Sequence, residues 1–149
     1  MFTPMHKFNS DGVEIAYETA GGGPPVLLIH GFASTGKVNW WETGWVKTLT
    51  AAGHFVITFD HRGHGASEKL YDSGMYAATE MAEDARRLLD HLGITQADVM
   101  GYSMGARVAA FLTLRHPDRV HRAVFAGLAS RMITGVGGAE AIARGFEAP

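Results

Sequence analysis

The segment Gly101-Tyr102-Ser103-Met104-Gly105 decides the fold, because it places a serine between two glycines in a G-x-S-x-G pattern. A short apolar run, Val99 to Tyr102, precedes the serine, and a helical stretch from Met104 to His116 follows it. A serine at such a turn has a strained backbone that projects its hydroxyl above the sheet. Side chains two residues before and after the serine would collide with neighbouring backbone, and glycine has none. The pattern therefore predicts a sharp strand-to-helix turn with an exposed serine.

The rest of the chain alternates between strand-like and helix-like segments. Short continuous apolar runs are typical of strands buried on both faces, which are usually parallel, and four are present: Val26–Ile29, Phe55–Phe59, Val99–Tyr102 and Ala123–Ala126. Val13–Tyr17 instead alternates apolar and polar residues, which predicts an outer strand with one solvated face. Amphipathic helical stretches lie between the runs. We predict one α/β domain over residues 1–149, a doubly wound, mostly parallel sheet with helices on both faces.

Composition and charge exclude several function classes. The 149 residues include 13 basic and 15 acidic side chains, and a net charge of -2 gives no field that would attract nucleic acid or an anionic membrane. No cysteine is present, which excludes disulfides, thiolate catalysis and cysteine-based metal sites. No apolar run is long enough to span a bilayer. We expect a cytoplasmic protein that binds a small molecule and has neither nucleic acid nor membrane as a partner.

Two further motifs follow predicted strands. Val26–Ile29 leads into His30-Gly31-Phe32, and Phe55–Phe59 leads into Asp60-His61-Arg62-Gly63-His64-Gly65-Ala66-Ser67. Together with the segment around Ser103, in this order and with helices between them, these motifs resemble the N-terminal part of the α/β-hydrolase superfamily. The resemblance is to its esterase-like members in particular.

The resemblance covers roughly residues 8–128 and implies roles for three residues. Ser103 would be the nucleophile, and the backbone N–H groups of Phe32 and Met104 would form the oxyanion hole. The position of Met104 suits that role, because the first N–H groups of a helix lack intrahelical partners and the helix dipole favours negative charge there. The implied function is serine ester hydrolysis of a small carboxylic ester or related acyl substrate. It requires no metal ion and no organic cofactor.

The remaining members of the catalytic triad are not found in this chain. In this family an acid and a histidine follow the serine on later strands, and all eight histidines here lie at or before His121. Without a base the Ser103 hydroxyl is a weak nucleophile, so we expect poor ester turnover by this chain alone. We also expect missing C-terminal strands and the start of a cap, lid or connecting helix at about residues 135–149. The strand Ala123–Ala126 would then have an apolar edge, which favours self-association or pairing with a missing C-terminal part.

Other polar and aromatic residues of the motifs are assigned structural roles. A glycine-rich loop after a strand needs local hydrogen bonds, and we expect these from Asp60, Arg62 and Ser67. His61 and His64 have the spacing of a metal pair, but no third ligand is evident, so we expect them to be solvated or bonded within the loop. Trp40, Trp41 and Trp45 are predicted to be packing residues. The alternative role of Trp40 is to line a substrate entrance.

Three alternatives to serine ester hydrolysis remain open. The segment Gly31–Val38 approaches the nucleotide-binding pattern G-x-x-x-x-G-K-[ST], although Val38 replaces the hydroxyl residue that would hold magnesium. The chain could instead be an inactive fragment or an interaction module with the same fold. A perhydrolase, a lactonase and a C–C bond hydrolase would all keep Ser103. Haloalkane dehalogenation is disfavoured, because that group has aspartate at this turn.

Overall fold

A computed structural model of the chain describes residues 5–128. Within that range there are six strands and three α-helices: β1 (His6–Ser10), β2 (Val13–Gly21), β3 (Pro25–Ile29), α1 (Trp45–Ala51), β4 (Phe55–Phe59), α2 (Ala78–His91), β5 (Ala97–Tyr102), α3 (Met104–Arg115) and β6 (Val120–Ala126). Shorter helical turns also occur: a π-helical turn at Lys37–Trp41 and 3-10 turns at Ser73–Tyr76 and Pro117–Arg119. None of the described helices is long and apolar enough to cross a membrane.

The strands form one twisted sheet in the order β1-β2-β4-β3-β5-β6. The pairs among β4, β3, β5 and β6 are parallel, and the pairs β1–β2 and β2–β4 are antiparallel. The mostly parallel α/β sheet is therefore confirmed. The prediction that Val13–Tyr17 is an outer strand is wrong, because β1 pairs along it and takes the edge. Only two side chains of β1, those of Phe8 and Ser10, are buried, too few to give a recognisable alternation.

Helices cover both faces of the sheet, as predicted. Because successive side chains of a strand point to opposite faces, Leu27 and Ile29 of β3 join the core under α2 and α3. Val26 and Leu28 join a second core, which also contains Trp40. This two-sided burial is the reason that the β3 segment is apolar without interruption.

The helical stretch between β3 and β4 is less regular than its sequence pattern indicates. Gly44, with φ of 88°, separates the π-helical turn from α1. Trp40 is 3% exposed, and the indole N–H of Trp41 donates to the hydroxyl of Thr58 at 3.0 Å. Trp45 is 45% exposed, but its ring contacts that of Trp40 edge-on, with centroids 6.3 Å apart, so the structure agrees with a packing role for both residues.

The parallel strands end together at one edge of the sheet. Ile29 of β3 is aligned with Phe59 of β4 and with Gly101 of β5, so the three motif loops begin side by side. Within residues 5–128 β6 lies beside β5 at the far side of the sheet, and its Val124 is 55% exposed. The apolar edge expected at β6 stays a prediction. The segment expected to begin a cap, about residues 135–149, lies outside the described residues.

Candidate active site

Ser103 lies in the sharp turn between β5 and α3. Its backbone has φ of 56° and ψ of -117°, a conformation that residues with a Cβ rarely adopt. The turn is fixed by the bond from the Ser103 N–H to the carbonyl of Ala126, at 2.9 Å. The Ser103 carbonyl in turn accepts from the N–H of Ala106, also at 2.9 Å. The side chain is half-buried, and its hydroxyl has no hydrogen-bond partner in the described part of the chain.

The glycines of the G-x-S-x-G motif are required by close backbone contacts. A Cβ on Gly101 would run into the carbonyl of Gly105. A Cβ on Gly105 would run into the carbonyl of Ile29 at the end of β3. The collision predicted from the sequence is therefore confirmed at both positions, and α3 starts directly against the sheet.

The strain at Ser103 gives a first prediction. Changing Ser103 to glycine removes the Cβ from a position with positive φ, and we expect the free energy of unfolding to rise by about 1 kcal/mol, net of the entropy that glycine adds to the unfolded chain. Ser103→Ala is the matched control, since it removes the same hydroxyl and keeps the Cβ. Urea denaturation measures both variants. Equal stabilities of the two variants would show that the turn is not strained.

The loop after β3 leaves one amide unbound between two bound ones. The N–H of Gly31 donates to Asn39 Oδ1 at 2.8 Å, and the N–H of Ala33 donates to His64 Nε2 at 3.1 Å. Within residues 5–128 the N–H of Phe32 makes no hydrogen bond, and neither does that of Met104. A Cβ placed on Gly31 would lie 3.5 Å from Ser103 Cβ, so this loop runs beside the serine. Two unbound amides on segments that flank a hydroxyl can bind an anionic oxygen.

His30 orients the peptide that carries the Phe32 amide. Its Nδ1–H donates to the carbonyl of Gly31 at 2.7 Å, and its Nε2 accepts from the N–H of His61 at 2.9 Å. The Gly31 carbonyl and the Phe32 N–H belong to one planar unit and point in opposite directions. Holding that carbonyl therefore fixes the direction of the Phe32 N–H. Burial lowers the pKa of His30 to about 4, so the ring is neutral at pH 7.

The lowered pKa of His30 makes stability depend on pH. The unfolded chain protonates this residue below about pH 6.5, whereas the folded chain does so only near 4, so the unfolded state binds more protons between these values. We expect stability to fall as pH drops through this window, by about 3 kcal/mol from His30 alone. Denaturant titrations from pH 7.5 to 4 measure the slope. His30→Gln should reduce this slope relative to wild type. An unchanged slope in His30→Gln would contradict this assignment.

The loop after β4 is held by the residues expected to be structural. The Asp60 carboxylate accepts from the N–H groups of Gly36 and Ala66, both at 2.9 Å. The hydroxyl of Ser67 donates to the Asp60 carbonyl at 2.6 Å. Arg62 forms a buried, two-pronged ion pair with Asp84 of α2, at 2.7 and 2.8 Å. All three structural assignments in this loop agree with the geometry.

His61 and His64 are bonded within the loops and form no metal site. His61 is fully buried, which excludes a solvated role, and its Nε2–H donates to the His30 carbonyl at 2.9 Å. No group of three or more histidine, aspartate or glutamate side chains in residues 5–128 could hold a metal ion. Both histidines are used as hydrogen-bonding groups.

The nucleotide-binding alternative is not supported by the loop at Gly31–Val38. A phosphate cradle requires backbone N–H groups that are free to face the ligand. Here the N–H of Gly36 is bound by Asp60, and that of Val38 donates to Thr35 Oγ1 at 3.1 Å. Together with the N–H groups of Gly31 and Ala33, four backbone donors of this segment are already used inside the chain.

Comparison with known proteins identifies the family of the chain. A family model described as the alpha/beta hydrolase fold matches residues 24–136, and the chain belongs to that family. A protein named as a carbamate hydrolase, RutD, from Caulobacter segnis is 37% identical over 114 residues. One named as a non-heme chloroperoxidase from Synechocystis is 38% identical over 124 residues. An epoxide hydrolase mutant from Vigna radiata has a TM-score of 0.75 at 27% identity, covering 80% of this chain and 37% of that one.

The match to these relatives is partial in length. The alignment takes in 74% of this chain and 41% of the Caulobacter protein, and 83% of this chain and 43% of the Synechocystis protein. The chain therefore spans about two fifths of the length of the curated relatives it matches.

Proposed function

We propose that the complete protein is a serine hydrolase that acts on a small carboxylic ester or a related acyl compound. The observation that carries this proposal is a hydroxyl at a strained turn, flanked by segments with two amides, none of the three having a hydrogen-bond partner within residues 5–128. Ser103 is the nucleophile, and the N–H groups of Phe32 and Met104 bind the oxygen that becomes negative. No metal ion or organic cofactor takes part in this chemistry.

The reaction proceeds in two stages of acyl transfer. Ser103 Oγ loses its proton and bonds to the acyl carbon, while the carbonyl oxygen takes up the negative charge between the two amides. The C–O bond to the alcohol then breaks, and the alcohol leaves with a proton. Water attacks the acyl-serine, which releases the acid and restores the Ser103 hydroxyl.

The base that takes the Ser103 proton is not found among residues 5–128. His30 is bound at both ring nitrogens, and none of the described histidines is hydrogen-bonded to the Ser103 hydroxyl. The proposal therefore assigns the base to a segment outside the described residues. A triad enzyme without its base keeps a residual acceleration of roughly 10³ to 10⁴ over water, so we expect slow turnover by this chain alone.

The names of the relatives support acyl chemistry without fixing the substrate. A carbamate contains the same type of acyl carbonyl as an ester, and the Caulobacter relative is named as a carbamate hydrolase. The missing base favours a second candidate, an interaction module that keeps the fold without the activity. The cytoplasmic location and the self-association through β6 stay predictions.

Labelling with a fluorophosphonate tests the proposed nucleophile. We expect intact-mass spectrometry after prolonged incubation to show one added phosphonyl group on the wild-type chain and none on Ser103→Ala, because the two amides still stabilise attack by Ser103 on phosphorus, although the reaction is slow without the base. The control Ser73→Ala removes an exposed serine and should be labelled like wild type. Equal labelling of Ser103→Ala would exclude Ser103 as the nucleophile. A wild-type chain that takes no label would favour the interaction module.

A further inference from the structure

Ala33 has an unfavourable backbone conformation beside the proposed oxyanion donor. Its φ is 57°, and a residue with a Cβ in this left-handed region is destabilised by roughly 1 kcal/mol or more. Ala33 directly follows Phe32, so any relaxation of Ala33 rotates the Phe32–Ala33 peptide and, through the Phe32 backbone, shifts the adjoining Gly31–Phe32 peptide that carries the Phe32 N–H. A contact must therefore hold Ala33 in place.

The contact is made by His64, whose hydrogen-bond pattern is determined by its partners. Its Nδ1 lies 3.0 Å from the carbonyl of Arg62, and because a carbonyl only accepts, Nδ1 carries the proton. Nε2 of the neutral ring is then an acceptor, and it accepts from the N–H of Ala33 at 3.1 Å. The ring also contacts the Phe32 ring edge-on, with centroids 5.9 Å apart.

The other side of His64 is attached to a rigid part of the fold. Arg62, whose carbonyl binds the His64 ring, is fixed by its two bonds to Asp84 and by a third to the carbonyl of Met75 at 2.9 Å. Hydrogen bonds therefore connect α2, through Arg62 and His64, to the turn at Ala33. The conformation of the loop after β3 therefore depends on a hydrogen bond to the loop after β4.

We infer that His64 is a positioning residue, which holds the turn at Ala33 so that the Phe32 amide keeps its direction toward the oxyanion. This inference rests on the proposed function of Ser103. His64 touches no reacting atom and acts only through the backbone N–H of Ala33. It complements His30, which holds the preceding peptide through the Gly31 carbonyl.

Two substitutions separate the hydrogen bond from the packing of the ring. His64→Phe keeps an aromatic ring against Phe32 and removes the acceptor for Ala33. His64→Gln loses the ring and supplies an amide oxygen that can take the place of Nε2. If His64 acts through the packing of its ring, phenylalanine should be the better replacement. If His64 acts by accepting the Ala33 N–H, glutamine should be the better replacement.

The test measures the rate of Ser103 labelling by a fluorophosphonate, together with the backbone coupling constant of Ala33 by NMR, on both variants and wild type. We expect His64→Phe to label about 10-fold more slowly, less than the 10² to 10³ lost when an oxyanion donor is removed altogether. His64→Gln should label within about 3-fold of wild type. The Ala33 coupling should change in His64→Phe only.

The outcomes distinguish failure of this inference from failure of the proposed function. Labelling of wild type and His64→Phe at the same rate would overturn the positioning role, whatever the Ala33 coupling shows. Slow labelling of His64→Gln with normal labelling of His64→Phe would overturn it in favour of packing. A wild-type chain that takes no label would overturn the proposed function itself, and the positioning role with it.

Discussion

Gly105→Ala is expected to destabilise the chain by about 3 kcal/mol, which is a large fraction of a typical domain's stability. The new Cβ would meet the carbonyls of Ile29 and His30 at the end of β3, and both belong to backbone that cannot rotate away. To accept the methyl group, α3 has to move off the sheet and take the Ser103 turn with it. Circular dichroism with urea titration measures the loss.

The matched control is Gly22→Ala, at an exposed glycine where a Cβ meets nothing within 4 Å. We expect this substitution to change stability by no more than about 0.5 kcal/mol. The pair thus compares the same added methyl group at a closed and an open position. If Gly105→Ala were as stable as Gly22→Ala, the close approach of α3 to β3 would be wrong.

Asp84→Asn should be almost as damaging, with a loss of about 3 to 5 kcal/mol. The side chains of Asp84 and Arg62 are 1% and 4% exposed, so removing the carboxylate charge leaves a guanidinium buried without its counter-ion. The bond to Asp84 raises the pKa of Arg62 above its ordinary value in the wild-type chain. Without that carboxylate the guanidinium still keeps its proton, because arginine is not deprotonated in proteins. Thermal and denaturant unfolding measure the loss.

Asp90→Asn provides the comparison on the same helix. Asp90 pairs with two arginines, Arg86 at 2.6 Å and Arg119 at 2.7 Å, but its side chain is 47% exposed. Exposed pairs of this kind contribute about 0 to 1 kcal/mol, so the same chemical change should have a small effect here. Similar losses in the two variants would contradict a special role for the buried pair.

Much of the fold could be predicted because it depends on local rules. The apolar runs at β3 and β4 mark strands buried on both faces, and Gly101 and Gly105 mark the turn where a Cβ has no room. The edge strand β1 was missed, because Phe8 is its single buried apolar residue.

The residues that hold the loops of the site in place do so through contacts with residues that are far away in the sequence. No local sequence pattern indicates such contacts. Asp84 lies in the middle of α2, and the sequence does not distinguish it from the exposed Glu80 and Asp90 of the same helix, yet it faces inward to Arg62. Asn39 binds the N–H of Gly31 from a π-helical turn that the sequence does not indicate. His30 was identified as part of a motif, but its two bonds appear only when the loops are brought together.

The central claim is that an oxygen bonded to Ser103 meets two backbone amides. The most direct test is a crystal structure of the chain after phosphonylation of Ser103. We predict a phosphonyl oxygen about 2.7 to 3.1 Å from the backbone nitrogens of both Phe32 and Met104. A phosphonyl group at Ser103 whose oxygens all point to solvent, with both amides unbound, would contradict the account.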